Sequence, residues 1–237
     1  MVRINLISSP RNISTALMYS FAQRPDTLVL DEPYYANYLW RSGADHPGKE
    51  QVMQQQPIDE ASVTAKIFGQ WVNPVLFIKN MAHHMALLEQ PRLTELTNII
   101  FIRDPRQIIS SYVEVISAPT LYDIGLAQIY SFFESLQRAG HPPVVLDSGE
   151  LLKAPETVLR ALCSKLDINF SPSMLQWQPG PKPYDGCWAP YWYTSVHQST
   201  GFTPQTTSQR DLPSRLLPLY EQARPYYEKL VPFAIKA

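Results

Sequence analysis

Ile4-Asn5-Leu6-Ile7-Ser8-Ser9-Pro10-Arg11-Asn12-Ile13-Ser14-Thr15-Ala16-Leu17 reads as a short buried strand, a tight polar turn and the start of an amphipathic helix. The unpaired N–H groups and positive dipole end of such a helix favour an anion. Arg11 adds a full charge, and Ser14 and Thr15 add hydroxyl donors. A second strand-to-helix corner follows mid-chain, where Asn98-Ile99-Ile100-Phe101-Ile102 runs into Arg103-Asp104-Pro105-Arg106-Gln107-Ile108-Ile109-Ser110-Ser111. Asp104 suits an N-cap and Pro105 a first helical position. That places Arg103 at the strand's carboxyl end and Ser111 two turns into the helix, where both converge on a second phosphate.

Between and beyond these corners the pattern alternates. Val2 to Ile7, Thr27 to Leu30, Val75 to Lys79, Ile99 to Ile102 and Pro143 to Asp147 read as strands. Leu17, Met18, Phe21 and Ala22 recur at helical spacing, as do Ile108, Ile109, Tyr112, Val113 and Ile116, and Leu126, Ile129, Tyr130, Phe133 and Leu136. A helix through Met85 and Leu88, another over Val158 to Leu166 and a terminal one near Leu216 to Lys229 complete the set. The fold class is α/β, a parallel sheet flanked by helices on both faces in a P-loop-like sandwich. Residues 35–70, punctuated by Gly43, Pro47, Gly48 and Pro57, read as short helices forming a mobile cap over the site, or as an ordinary surface excursion. Residues 171–215, rich in Pro, Trp and Tyr, read as an irregular flap rather than a separate domain.

A chain of 237 residues accommodates one such domain, spanning residues 1–237. Its 20 Lys and Arg against 21 Asp and Glu create no net field to recruit nucleic acid or an anionic membrane, so any anion site is local. No segment approaches the roughly 20 apolar residues of a membrane span, and Arg3 and Asn5 break the first apolar run before it resembles a signal peptide. A cytoplasmic protein is the expectation. Cys163 and Cys187 lack metal-ligand spacing. A disulfide and free thiols both remain open, the latter fitting a reducing cytosol.

The two corners together resemble those of sulfotransferases that use 3′-phosphoadenosine-5′-phosphosulfate (PAPS). That superfamily carries an N-terminal Pro-[Lys/Arg]-Ser-Gly-[Thr/Ser]-[Thr/Ser] loop for the 5′-phosphosulfate, and an Arg followed eight positions later by Ser for the 3′-phosphate. Pro10-Arg11-Asn12-Ile13-Ser14-Thr15 occupies the first, with Asn12-Ile13 in place of Ser-Gly, and Arg103 and Ser111 fit the second. The resemblance implies that Arg11, Asn12, Ile13, Ser14, Thr15, Arg103 and Ser111 bind PAPS, with 3′,5′-adenosine bisphosphate (PAP) as product and no metal required. Ser199, Thr200 and Gly201 loosely resemble the family's C-terminal segment that closes on the nucleotide. Trp188, Tyr191, Trp192 and Tyr193, just before them, either stack on adenine, line the acceptor pocket or form the core of the flap.

Lys79 fits the Lys of the family's Lys-x-His motif, and Met81 stands where the catalytic His is usual. His83 and His84 are candidates to replace it, and helical geometry predicts that at most one of them faces the site. Another branch uses a Glu after the second strand, which Glu32 matches. Burial beside Tyr34 and Tyr35 would raise its carboxyl pKa and suit it as base, whereas capping a helix or pairing with Lys79 is the structural alternative. Glu32 ranks first, His83 or His84 second, with Arg11 and Lys79 as the charged catalytic groups. The implied reaction moves a sulfuryl group to a hydroxyl or amine of a small or medium organic acceptor. A kinase on the same fold requires Gly-x-x-x-x-Gly-Lys-[Ser/Thr], and the first loop has neither glycine nor lysine. A non-catalytic nucleotide-binding or scaffold protein stays open because of Met81 and Asn12-Ile13. Nothing in the sequence speaks to oligomeric state.

Overall fold

The computed structural model describes residues 1–89, 91–203 and 212–237. In chain order it runs β1 (Val2–Ser8), α1 (Ser14–Ala22), β2 (Thr27–Asp31), α2 (Tyr35–Ser42), α3 (Lys49–Gln55), α4 (Glu60–Phe68), β3 (Val75–Met81) and α5 (Ala82–Met85). It continues through β4 (Thr97–Ile102), α6 (Pro105–Tyr112), α7 (Leu121–Ile124), α8 (Leu126–Arg138), β5 (Val144–Asp147), α9 (Ser148–Lys153) and α10 (Pro155–Lys165). Two single-turn helices, α11 (Ala189–Trp192) and α12 (Thr194–His197), precede α13 (Leu217–Leu230).

The strands form one parallel sheet in the order β2-β3-β1-β4-β5. Alternating side chains feed two cores. On one face Ile4, Leu6, Phe77, Ile99, Phe101 and Leu146 pack against α1 and α10. On the other Ile7, Ile100, Ile102 and Val145 pack against α6, α8 and α13. Both faces are therefore covered, as parallel strands require. Asn5, fully buried, is tolerated because Asn80 of β3 donates to its Oδ1 at 2.9 Å and it donates to Asn98 of β4 at 2.9 Å.

After β1 the chain builds outward to β2 and β3 on one side, and β4 and β5 fill the other. This reversal leaves a crevice at the carboxyl ends of β1 and β4, where ligands of open α/β sheets bind. Residues 35–70 do fold as short helices, and α2 packs its Tyr35, Tyr38 and Leu39 on Trp188 and Tyr193 of the flap. The helix expected through Leu88 is a single turn ending at Met85. Residues 204–211 of the expected flap lie outside the described residues; the rest of it holds α11 and α12 and is tied back by a bridge between Gln176 and Gly201. No helix among the described residues is long and apolar enough to cross a membrane. Both cysteines are free thiols, Cys163 in the core and Cys187 half-buried.

Candidate active site

The turn after β1 is shaped by its own backbone. Arg11 and Ile13 both sit in the left-handed region, at φ 56° and 50°. Ile13 stands where the resemblance places a glycine and takes a backbone conformation that glycine adopts freely, at a cost of about 1–2 kcal/mol. It is the N-cap of α1, whose first turn receives no side-chain cap, so the N–H groups there stay available. The contrast with α6 is informative, because Asp104 caps that helix by accepting from Arg106 N at 2.7 Å. Asn12 is buried and its Nδ2 donates to Phe101 O at the end of β4, pinning the turn across the crevice.

Two guanidinium groups then interlock the corners. Arg103 donates from Nη1 to Arg11 O at 2.6 Å and from Nε to Gln107 Oε1 at 2.8 Å. Arg11 donates from Nε to Ser111 Oγ at 2.9 Å and from Nη1 to Trp192 O at 3.2 Å. Burial pushes both guanidinium pKa values down, and Arg103 is pushed further by the charge of Arg11. Like charges are thus gathered in a partly desolvated corner. The Arg11 guanidinium thus lies with Ser111, the residue assigned from sequence to the other phosphate end.

A cavity of about 440 Å³ opens at this corner, within the range of small-ligand sites. Arg11, Asn12, Ile13, Ser14, Thr15, Arg103 and Ser111 line it, together with Glu32, Lys79, Met81, His83 and His84. Ser199 and Gly201 also reach it. Thr200 does not; the bridge to Gln176 turns its carbonyl to accept Trp177 N at 3.0 Å. Ser199 Oγ is engaged with Trp177 Nε1 at 3.1 Å and Val196 O at 2.7 Å.

Lys79, buried in the cavity floor, spends its three ammonium protons on Glu32 Oε1 at 2.5 Å, Tyr193 OH at 2.7 Å and Asp31 Oδ1 at 2.9 Å. Burial opposes its charge, but Asp31 and Glu32 outweigh burial and raise its pKa. Glu32 is pushed up chiefly by burial, with Lys79 opposing and Asp31 assisting. Its backbone is left-handed at φ 41°. Three of the left-handed non-glycine residues therefore line this one cavity, as strained residues at working sites do. Pairing with Lys79 and a carboxyl pKa raised by burial, which the sequence set apart as alternatives, are found together.

His83 and His84 both line the cavity, contrary to the expectation that one would turn away. Tyr38 packs against both rings, at 5.0 and 4.4 Å, and draws them to within 4.4 Å of each other across a single helical turn. Burial drives His83 down to about 3 and His84 well below the ordinary range, so both imidazoles are neutral. His84 Nδ1 lies 3.7 Å from Glu32 Oε2. Among the described residues no group of three or more His, Cys, Asp or Glu side chains is arranged to hold a metal.

Sequence reasoning did not single out Tyr193 or the Trp192 carbonyl as partners of the charged groups. Tyr193 OH donates to Asp31 at 2.7 Å and accepts from Trp188 Nε1 at 3.1 Å as well as from Lys79. Two consecutive flap residues thus tie the arginine corner to the carboxylate pair. Their partners lie more than a hundred residues away in the chain, beyond the reach of any local pattern.

The switch point of a parallel α/β sandwich thus carries two interlocked arginines with a buried carboxylate–lysine cluster beside them. The chain belongs to the sulfotransferase domain family, whose model matches residues 2–232. Among solved structures it is similar to the sulfotransferase domain of the Synechococcus PCC 7002 olefin synthase (TM-score 0.61, 19% identity, covering 96% of this chain and 94% of that one). It is also similar to the sulfotransferase domain of the curacin biosynthetic pathway (TM-score 0.55, 17% identity, 96% of each chain). In sequence it matches two Arabidopsis thaliana proteins called branched-chain-amino-acid aminotransferase-like proteins 1 and 2. They are 41% identical over 92% of this chain and 39% identical over 96%. The chain spans only 40% and 41% of their lengths, so their name describes proteins far larger than the matched region.

Proposed function

We propose that the chain transfers a sulfuryl group from PAPS to a hydroxyl of a small organic acceptor. The observation that carries this reading is the interlocking of Arg11, Arg103 and Ser111 in one cavity with the uncapped start of α1 and with Glu32. The α1 N–H groups, Ser14 and Thr15 receive the 5′ end of the donor, and Arg103 with Ser111 the 3′-phosphate. Arg11, between them, neutralises charge on the departing phosphate oxygen. Glu32 accepts the acceptor's proton as its oxygen attacks sulfur in line and the bond from sulfur to the bridging oxygen breaks. Electrostatic positioning dominates such a transfer. Lys79, its protons already committed, holds Glu32 and balances its charge rather than touching the sulfuryl group.

The test is thermal unfolding with ligands. PAP is expected to raise Tm and ATP with magnesium to leave it almost unchanged; the reverse would sink the reading. Labelled PAPS offered with a metabolite extract then reveals a sulfated product. A PAP shift with no transfer would favour the scaffold alternative, which Met81 at the usual place of the histidine supports.

A further inference from the structure

The half of the cavity away from the arginine corner has its own chemistry. Its wall is built of rings. Tyr35 stacks on His84 at 4.7 Å and meets Trp188 edge-on at 5.1 Å. All three line the cavity with Glu32. One buried ring nitrogen there, His84 Nδ1, has no hydrogen-bond partner and lies 3.7 Å from Glu32 Oε2.

The charge in this half is acidic. Lys79 faces two carboxyl groups, Asp31 and Glu32, so with both ionised the cluster carries one negative charge in excess. The imidazoles of His83 and His84 contribute no charge. Among the described lining residues the other cations are Arg11 and Arg103, both in the donor corner.

We propose that the acceptor is a small alcohol bearing an ammonium group, its cation held against the Tyr35–Trp188 wall and its hydroxyl presented to Glu32. The inference rests on the sulfuryl-transfer reading and deepens it. Aromatic faces attract a cation through their quadrupole, most strongly where water is excluded. An uncharged phenol would fit the rings equally well but would gain nothing from the excess carboxylate charge. An anionic acceptor would be repelled by it.

Choline and its uncharged isostere 3,3-dimethylbutan-1-ol differ in charge and hardly in shape. Calorimetric titration of the full chain saturated with PAP should give choline at least about ten-fold tighter binding than the isostere. Tyr35→Leu should erase most of that preference while leaving PAP affinity intact, which also reports that the variant is folded. Equal or tighter binding of the isostere, or binding of neither compound, would overturn the proposal. Failure of PAP itself to bind is a separate result, and it would remove the donor reading together with this inference.

Discussion

The two buried histidines make a quantitative prediction about acid stability. His83 is held neutral inside the protein, its pKa driven down to about 3, whereas in the unfolded chain it titrates near 6.5. Between those values the unfolded state binds a proton that the folded state refuses, so stability is fully present above pH 6.5 and falls as the pH drops toward 3. Taking the pH from 7 to 5 should therefore remove about 2 kcal/mol through His83 alone. His84 acts with the same sign. Glu32 acts with the opposite sign, because its raised pKa lets the folded state take a proton before the unfolded chain does. Comparing the parent with His83→Asn isolates the histidine, since Glu32 is common to both. Urea unfolding at pH 7 and pH 5 should show the variant losing about 2 kcal/mol less than the parent over that interval. Equal losses would mean that His83 is already protonated, or solvated, in the folded protein. The result also bears on catalysis, because a proton acceptor works best with a pKa near the operating pH. An imidazole held near 3 is a poor candidate, and a carboxylate moved upward by burial is a better one.

Three further outcomes follow from the same geometry. Arg103→Ala removes charge-assisted hydrogen bonds worth about 1.5–3 kcal/mol, so calorimetry should show PAP affinity falling roughly 10- to 150-fold; a change under about three-fold would contradict the phosphate role. Glu32→Gln should lower turnover by about 10²- to 10⁴-fold with PAP affinity unaltered, and undiminished turnover would move the base to His84. Lys79→Met leaves Asp31 and Glu32 buried without their cation and should cost about 3–5 kcal/mol in urea unfolding; a loss below about 1 kcal/mol would mean the carboxylates are protonated in the folded state.

The sheet was legible because each strand is an apolar run bounded by turn residues, and parallel strands buried on both faces leave that mark in sequence. The two strand-to-helix corners were legible for a different reason. Their parts are local, a strand end, a turn and a helix start, so Arg11 through Thr15 and Arg103 through Ser111 are each read as single words. Thr200 was misplaced because its orientation is set by the Gln176–Gly201 bridge, a contact that no local pattern encodes. The histidine pair was misread because the 100° rule assumes a helix seen from one side, and α5 is one turn wrapped by the cavity and by Tyr38.

Ile13 and the Trp192–Tyr193 pair carry the same lesson from opposite directions. Asn12-Ile13 in place of Ser-Gly kept a non-catalytic reading open, since side chains disfavour positive φ. The backbone at Ile13 nonetheless takes a positive φ, held by Asn12 on Phe101 O and by the Arg103 guanidinium on Arg11 O. Each of these restraints comes from the β4 side of the crevice, so the second corner is what lets the first tolerate a bulky residue. The flap extends this dependence, since the Trp192 carbonyl restrains Arg11 and the next residue's hydroxyl restrains Lys79. Removing any one strand end or the flap would leave a strained turn without its partners. The geometry of the cavity is therefore a property of the assembled sheet and flap together, which is why short motifs identify its parts and only the fold brings them together.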